Sequence, residues 1–356
     1  MKQRLIFLMP QIERNIFSAQ ELLDRQNLYA SYFAKEMGED FEKALVLYSG
    51  TDSPLSVREY EFINSAWIGP ASTGLLTFLK KSIFHIKRFK QNRFVLIAGT
   101  PFQPLFLARA ISLLVKHTSI QVSIHGEIKG IKLSPLKYHF LKSQIGKVSG
   151  IRFVSTVQRE EFIKEIRIGN TPSVVTPVPI EVKQQKKASV KRSQVLGFVG
   201  RIHKERDPLL WVKIANELPE MKHVIIGAGP LELEMKSSLR DGDFYGHLER
   251  NELMDSWSGI SVLLSTAPHE SYGLSTREAL LNGIPVVARN SAGSRELAEK
   301  FPELIKLFEE KNEAVLSIRY FNENPPDIED FTKFRTWFIQ EQENSLQNLA
   351  KLWHSI

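Results

Sequence analysis

Short, unbroken apolar runs recur along the whole chain, each closed by a glycine- or proline-bearing turn and followed by a stretch of helical period. In the first half they read "RLIFLMP", "KALVLYSG", "RFVLIAGTP", "IQVSIHGE" and "GIRFVSTV", with helical patterns such as "PLFLARAISLLVKH" between them. In the second half they read "QVLGFVG", "HVIIGAG", "ISVLLSTA" and "IPVVAR", with "DPLLWVKIANEL" and "ELMDSW" as helices. Apolar on every residue rather than on alternate ones, such strands need cover on both faces, which is the condition of a parallel sheet. Strand, helix and strand in sequence then demand βαβ crossovers. The fold class is α/β: two Rossmann-like doubly wound domains facing across a cleft.

The chain has 356 residues, and at ~150 residues per domain it supports two cores. The break falls at "KQQKKASVKRS", Lys183 to Ser193, which is polar, basic and free of apolar periodicity. We therefore expect an acceptor-side domain over 1–185 and a second domain over 193–330. The tail 331–356, "FTKFRTWFIQEQENSLQNLAKLWHSI", has helical period and is expected to cross back onto the first domain. Cysteine is absent, so disulfides and thiolate metal sites are excluded. The N-terminal apolar run is too short for a signal peptide, and no run approaches the ~18 residues of a membrane span. A cytoplasmic location is expected.

In open α/β sheets ligands bind beyond the carboxyl ends of the strands, so residues just after strands are the candidates. "LGFVGRIHKERDP" places Gly200 at a strand end and Arg201, Lys204 and Arg206 after it, before an Asp207-Pro208 helix start. Glycine admits a ligand to the backbone and the cations suit a diphosphate; a solvated basic loop fits the same residues. "IIGAGP" puts Gly227 in a similar turn, which many βα units need for packing alone. "HESYGLSTREALLNGIPVVARN" follows a buried strand, and its helix is expected to begin near Gly273, Leu274 and Ser275. The free amides there suit an anion. Glu270 precedes that helix, and Glu278 lies about one turn inside it, facing the same cleft. Carboxylates beside an anion site make sense as acceptors for hydroxyls of the same ligand, with Arg201 and Arg206 neutralising the phosphates. A nucleotide sugar satisfies every group; a loop acid and a helix-face acid with no shared ligand remain the alternative.

These motifs resemble glycosyltransferase family 4 of the GT-B fold. "HESYGLSTREALLNGIPVVA" is similar to its glutamate–seven–glutamate motif, and "GFVGRIHKERDP" to its Gly-Arg…Glu-Lys segment, with Arg206 where lysine is usual. "VIIGAGP" and "FYGHL…ELMDSWSGISVLLST" match in order and spacing, so the resemblance covers about residues 195–300. In the first half it rests on "SIHGE" and "FVSTVQREEF". It implies that Glu270 meets the donor hexose and Glu278 the ribose. By the same resemblance Arg201 and Arg206 stabilise the departing diphosphate, the amides of Gly273 and Leu274 hold phosphate, and His125 faces the sugar from the first domain. It further implies a retaining hexosyltransferase that needs no cofactor and no metal, with a UDP-sugar as donor. A glycan or lipid-linked molecule is the expected acceptor. Two departures stand out: "MPQIERNIF" lacks the double glycine usual after the first strand, and a guanidinium at 206 is a fork rather than a point charge. Asp241-Gly242-Asp243 reads as a turn rather than a metal-binding Asp-x-Asp. A histidine after a strand is also a common structural residue, so His125 carries both readings.

Charge is uneven. From Lys80 to Lys147 thirteen lysines and arginines face one acid, Glu127, while the whole chain carries a net charge of +7. In "LKKSIFHIKRFK" the pairs Lys80/Lys87 and Lys81/Arg88 share a face with Phe84, and Leu79, Ile83 and Ile86 are expected to be buried. Such a face suits the anionic inner surface of a membrane or plain solvent. Two other functions remain open: a sugar-nucleotide 2-epimerase of the same fold, and a polyanion- or nucleic-acid-binding protein. No nucleic-acid-binding motif is present, so nucleic acid is not an expected partner.

Overall fold

The computed structural model describes residues 2–10, 19–50, 59–89, 92–125, 135–182 and 194–356. The linker expected at 183–193 and residues 11–17 of "MPQIERNIF" lie outside them. The first half alternates β1 (Gln3–Met9), α1 (Ala19–Met37), β2 (Ala44–Ser49), β3 (Ile63–Gly69), α2 (Leu75–Lys87), β4 (Arg93–Ala98) and α3 (Gln103–Leu114). It continues with β5 (Thr118–Ile124), α4 (Pro135–Ile145), β6 (Gly150–Phe153), α5 (Thr156–Glu165) and β7 (Ser173–Val175). The second half runs β8 (Val195–Val199), α6 (Pro208–Ala215), β9 (Lys222–Ile226), α7 (Glu232–Ser238), β10 (Asp243–Gly246) and α8 (Arg250–Ser256). It closes with β11 (Val262–Ser265), α9 (Leu274–Leu281), β12 (Val286–Arg289), α10 (Ala292–Lys300), β13 (Ile305–Phe308), α11 (Lys311–Glu323) and α12 (Ile328–Ser355).

All pairings are parallel, in the orders β3-β2-β1-β4-β5-β6-β7 and β10-β9-β8-β11-β12-β13. Both sheets thus reverse direction beside their first strand, between β1 and β4 and between β8 and β11. These are the switch points at which a doubly wound sheet opens a crevice. The near-continuous burial of β1, β2 and β4 matches their unbroken apolar sequence.

One face of the first sheet packs α2, α3 and α4 into a core with Phe78, Leu105, Ile111 and Leu141. The buried line of α2 is Phe78, Ser82 and Ile86, with Leu79 and Ile83 only half-buried beside it. Ile86 is buried as expected, while Phe78 and Ser82 take the places expected of Leu79 and Ile83. The opposite face takes α1 and the C-terminal half of α12. Trp353 is fully buried there, edge-on to Phe7, Tyr29 and Phe33. Its indole donates to Gln121 Oε1 at 3.2 Å, and its carbonyl accepts from Gln3 Nε2 at 2.7 Å. The first half of α12 instead places Phe331, Phe334 and Phe338 in the second core. One helix thus clasps both layers. Among the described residues no helix is long and apolar enough to cross a membrane.

Candidate functional site

The carboxyl ends of the two sheets enclose a cavity of about 580 Å³. From the first sheet it is lined by Met9 at the end of β1 and Pro10 after it, Gly99 and Thr100 after β4, and His125 after β5. From the second it is lined by Arg206, Glu270, Tyr272, Gly273 and Leu274. The two switch points therefore face each other across one space.

The second-sheet wall follows from local sequence. Asp207 caps α6, accepting from the Leu210 amide at 3.4 Å, with Pro208 as first helical residue. It holds a left-handed backbone, φ 47° and ψ 56°. Such a conformation is costly for a residue with a β-carbon. Two contacts fix it: Arg289 Nη1 reaches Asp207 Oδ2 at 3.0 Å, and the Thr266 hydroxyl lies 2.7 Å from the Arg206 carbonyl and 3.0 Å from that of Asp207. Arg206 is held in turn and its guanidinium pairs with the Glu270 carboxylate. Both are largely sheltered from water. Burial, and then Arg201, push the Arg206 pKa below its ordinary value, though a guanidinium stays charged. Gly273 caps α9 with φ 77° and ψ 69°, and no side chain caps this helix. Gly273 and Leu274 line the cavity, so the helix start with its unpaired first-turn amides lies at the cavity wall.

The first-sheet wall is cationic. Arg152, buried in the middle of β6, donates from Nε to Thr176 O at 2.8 Å and from Nη2 to Pro177 O at 2.8 Å and Tyr29 Oη at 2.6 Å. Its guanidinium also stacks 4.7 Å from the Tyr29 ring. Arg25 on α1 lines the same wall. His125 lines the cavity. Desolvation there, and then the charges of Arg152 and Arg25, push its pKa down to about 3. It is neutral near pH 7.

Five of the expected residues meet in this cavity: His125, Arg206, Glu270, Gly273 and Leu274. Glu278, expected to face the same cleft, instead lines a separate small crevice with Val182, Met254 and Arg335. One turn beyond Leu274, the helix face has passed the cavity wall and is covered by residues 180–182. Ser275 lies in a second crevice behind Arg206. Arg201 does not line the cavity; it is exposed and pairs with Glu205 at 3.2 Å. Gly200 and Gly227 have a packing role: a β-carbon on Gly227 would lie 1.9 Å from the Gly200 carbonyl oxygen. Asp241 and Asp243 are exposed at the amino end of β10, the end of the sheet away from the cavity. Among the described residues no group of three His, Cys, Asp or Glu could hold a metal ion.

Sequence reasoning missed Arg25, Tyr29, Arg152 and Gly293. Arg152 left a signal, a charge inside the apolar run "GIRFV". Gly293 left only a small residue at a helix start, yet its amide donates to the Glu270 carbonyl at 2.7 Å.

A pair of doubly wound parallel sheets with a cavity between their switch points defines the GT-B architecture. The solved structure of the Anabaena protein HepE in complex with UDP and glucose superposes with a TM-score of 0.73 at 16% identity, over 99% of this chain and 100% of that one. Residues 179–335 match the profile of glycosyl transferases group 1. The chain is 32% identical over 141 residues to the sulfoquinovosyl transferase SQD2 of Arabidopsis thaliana, across 39% of its own length and 25% of the relative's. It is 26% identical to the 2-deoxystreptamine glucosyltransferase of Streptomyces kanamyceticus, across 48% of each. The chain thus spans between a quarter and about half the length of these curated relatives.

Proposed function

We propose that this protein is a retaining, metal-independent hexosyltransferase. It moves a sugar from a nucleoside-diphosphate sugar, a UDP-sugar first among them, to a glycan or lipid-linked acceptor at the cytoplasmic face of a membrane. One observation carries the reading: the Arg206–Glu270 pair and the uncapped start of α9 face His125 across a single cavity. In this reading the α9 amides hold phosphate, Glu270 accepts from sugar hydroxyls and Arg206 neutralises charge on the leaving diphosphate. Until donor arrives, each side chain of the pair keeps the other in place. Glu278, outside the cavity on the same helix, takes the ribose. Arg201, with its exposed guanidinium, closes over the diphosphate from outside. Neutral His125 offers one donor and one acceptor to the sugar. Similarity to relatives that transfer sugars supports the class of reaction.

The test is calorimetric binding of UDP and of UDP-glucose to two variants. Glu278→Ala weakens both ligands, whereas Glu270→Ala weakens the intact sugar nucleotide alone. The loss of a hydrogen bond to a charged group is ~1.5–3 kcal/mol, or roughly 10- to 150-fold. Equal losses of free UDP in both variants would refute the division of roles. Failure to bind any nucleoside diphosphate would refute the reading itself.

A further inference from the structure

The helices α2, α3 and α4 form one layer over the first sheet, and their outward faces combine exposed apolar side chains with cations. Six large apolar side chains are exposed there, between 51% and 85%: Leu76 and Phe84 on α2, Phe106, Leu113 and Leu114 on α3, and Leu136 on α4. On α2, Leu76, Lys80, Phe84 and Lys87 follow one another at i+4, i+4 and i+3 and so form a continuous strip. On α3, Phe106 and Leu113 are seven residues apart and share a face. Among the described residues from Leu75 to Lys147 there are ten lysines and arginines and no acid. Exposed apolar groups of this size, set among cations, are the composition of a surface that enters an anionic interface.

Helix polarity adds the location. In a doubly wound sheet each of these helices starts at the carboxyl end of a strand, the end that bears the cavity. Leu76, Phe106 and Leu136 each lie in the first turn of their helix. Pro104, two residues before Phe106, lines the cavity itself. The apolar contacts therefore reach the rim of the cleft, while Lys87, Arg88 and Lys142 lie towards the far ends. Lys81 is set apart, because its ammonium donates to the Ile68 carbonyl at 2.7 Å.

We infer that the α2–α4 layer docks on an anionic lipid bilayer, with Leu76, Phe106 and Leu136 entering the interface beside the mouth of the cavity. Charge complementarity selects the occupant: a layer with cations on all three helices and no described acid fits a continuous anionic sheet. The docking is independent of the transferase reading and is measured without nucleotide. An acceptor carried by lipid would then reach the cavity along the membrane plane.

The experiment is co-sedimentation of the full chain with vesicles of phosphatidylcholine alone and with 30% phosphatidylglycerol (roughly a physiological anionic fraction). Wild type binds the anionic vesicles, not the neutral ones, and salt releases it. Each cation near such a surface multiplies the partition coefficient about fivefold. Reversal of Lys80, Lys87 and Arg88 to glutamate therefore lowers binding by at least about 100-fold. The triple variant Leu76→Ser, Phe106→Ser, Leu136→Ser lowers it at least about tenfold while the charge is untouched. Melting curves show that both variants fold. Equal binding to both vesicle types, or binding unchanged in both variants, overturns the proposal. So does light scattering that finds a dimer in wild type and a monomer in the serine variant, since the face would then belong to a second copy.

Discussion

Replacing Gly293 by alanine isolates the support of the site from its chemistry. A β-carbon at this position would sit 2.7–2.8 Å from the carbonyl carbon, α-carbon and nitrogen of Tyr272. Ordinary carbon contacts lie near ~3.5–4.0 Å, so one chain or the other must yield by about 1 Å. Tyr272 has little room to give: its ring is buried and the Arg277 guanidinium lies 3.6 Å from its centre. The displacement passes along the loop to Glu270, whose carbonyl already accepts from the Gly293 amide, and to Gly273. Overpacking of this kind costs ~1–3 kcal/mol of stability, and a misplacement of about 1 Å at a reacting centre costs ~10²-fold in rate. Urea denaturation and donor turnover measure the two effects. Gly259→Ala is the control, since a β-carbon there meets nothing within 4 Å. If Gly293→Ala matches that control in both assays, the loop is not held by this contact and the reasoning fails.

Burial raises the Glu278 carboxyl above its ordinary pKa, with Arg250 partly opposing. A raised carboxyl contributes its full stability below the unfolded value and loses it as pH rises through the folded one. Glu278→Gln should therefore melt higher than wild type near pH 8, with the gap closing towards about pH 4; a constant gap across that range refutes this. Trp353→Ala should cost ~3–5 kcal/mol in chemical denaturation, because three aromatic edges and the Gln121 hydrogen bond close on that ring. A cost below about 1 kcal/mol would mean that α12 is not the clasp of the fold.

The strands that sequence reading found and missed divide by position in the sheet. The missed ones are β3, β7, β10 and β13, the outermost strands of both sheets. A central strand of a parallel sheet must be apolar on both sides, which prints an unbroken run into the sequence. An edge strand has a neighbour on one side only, so "INSAWIG" and "DFYG" can carry polar residues and leave no run. The site divides in a similar way. Arg206, Glu270 and Gly273 follow central strands, which made them candidates, and the resemblance to a known family then gave them roles. Arg152 and Tyr29 meet across 123 residues of chain, and nothing local in either segment announces the other. Glu278 lines a separate crevice rather than the cavity for a finer reason: helical period gave its direction, but not the cover that residues 180–182 lay over it.

The charges in the cavity also restrict its chemistry. Among the described residues lining it, Glu270 is the one carboxylate, and Arg206 is paired with it. Hydrolysis of a glycosidic bond ordinarily uses two carboxylates flanking that bond, one as acid and one as base or nucleophile. The described wall opposite Glu270 instead presents Arg152, Arg25 and a histidine whose pKa of about 3 leaves it uncharged. A neutral imidazole among guanidiniums is a poor proton source near pH 7. In the proposed reading the leaving group departs as an anion and needs no proton, with cations and helix amides to receive it. A diphosphate is such a leaving group; a sugar hydroxyl is not.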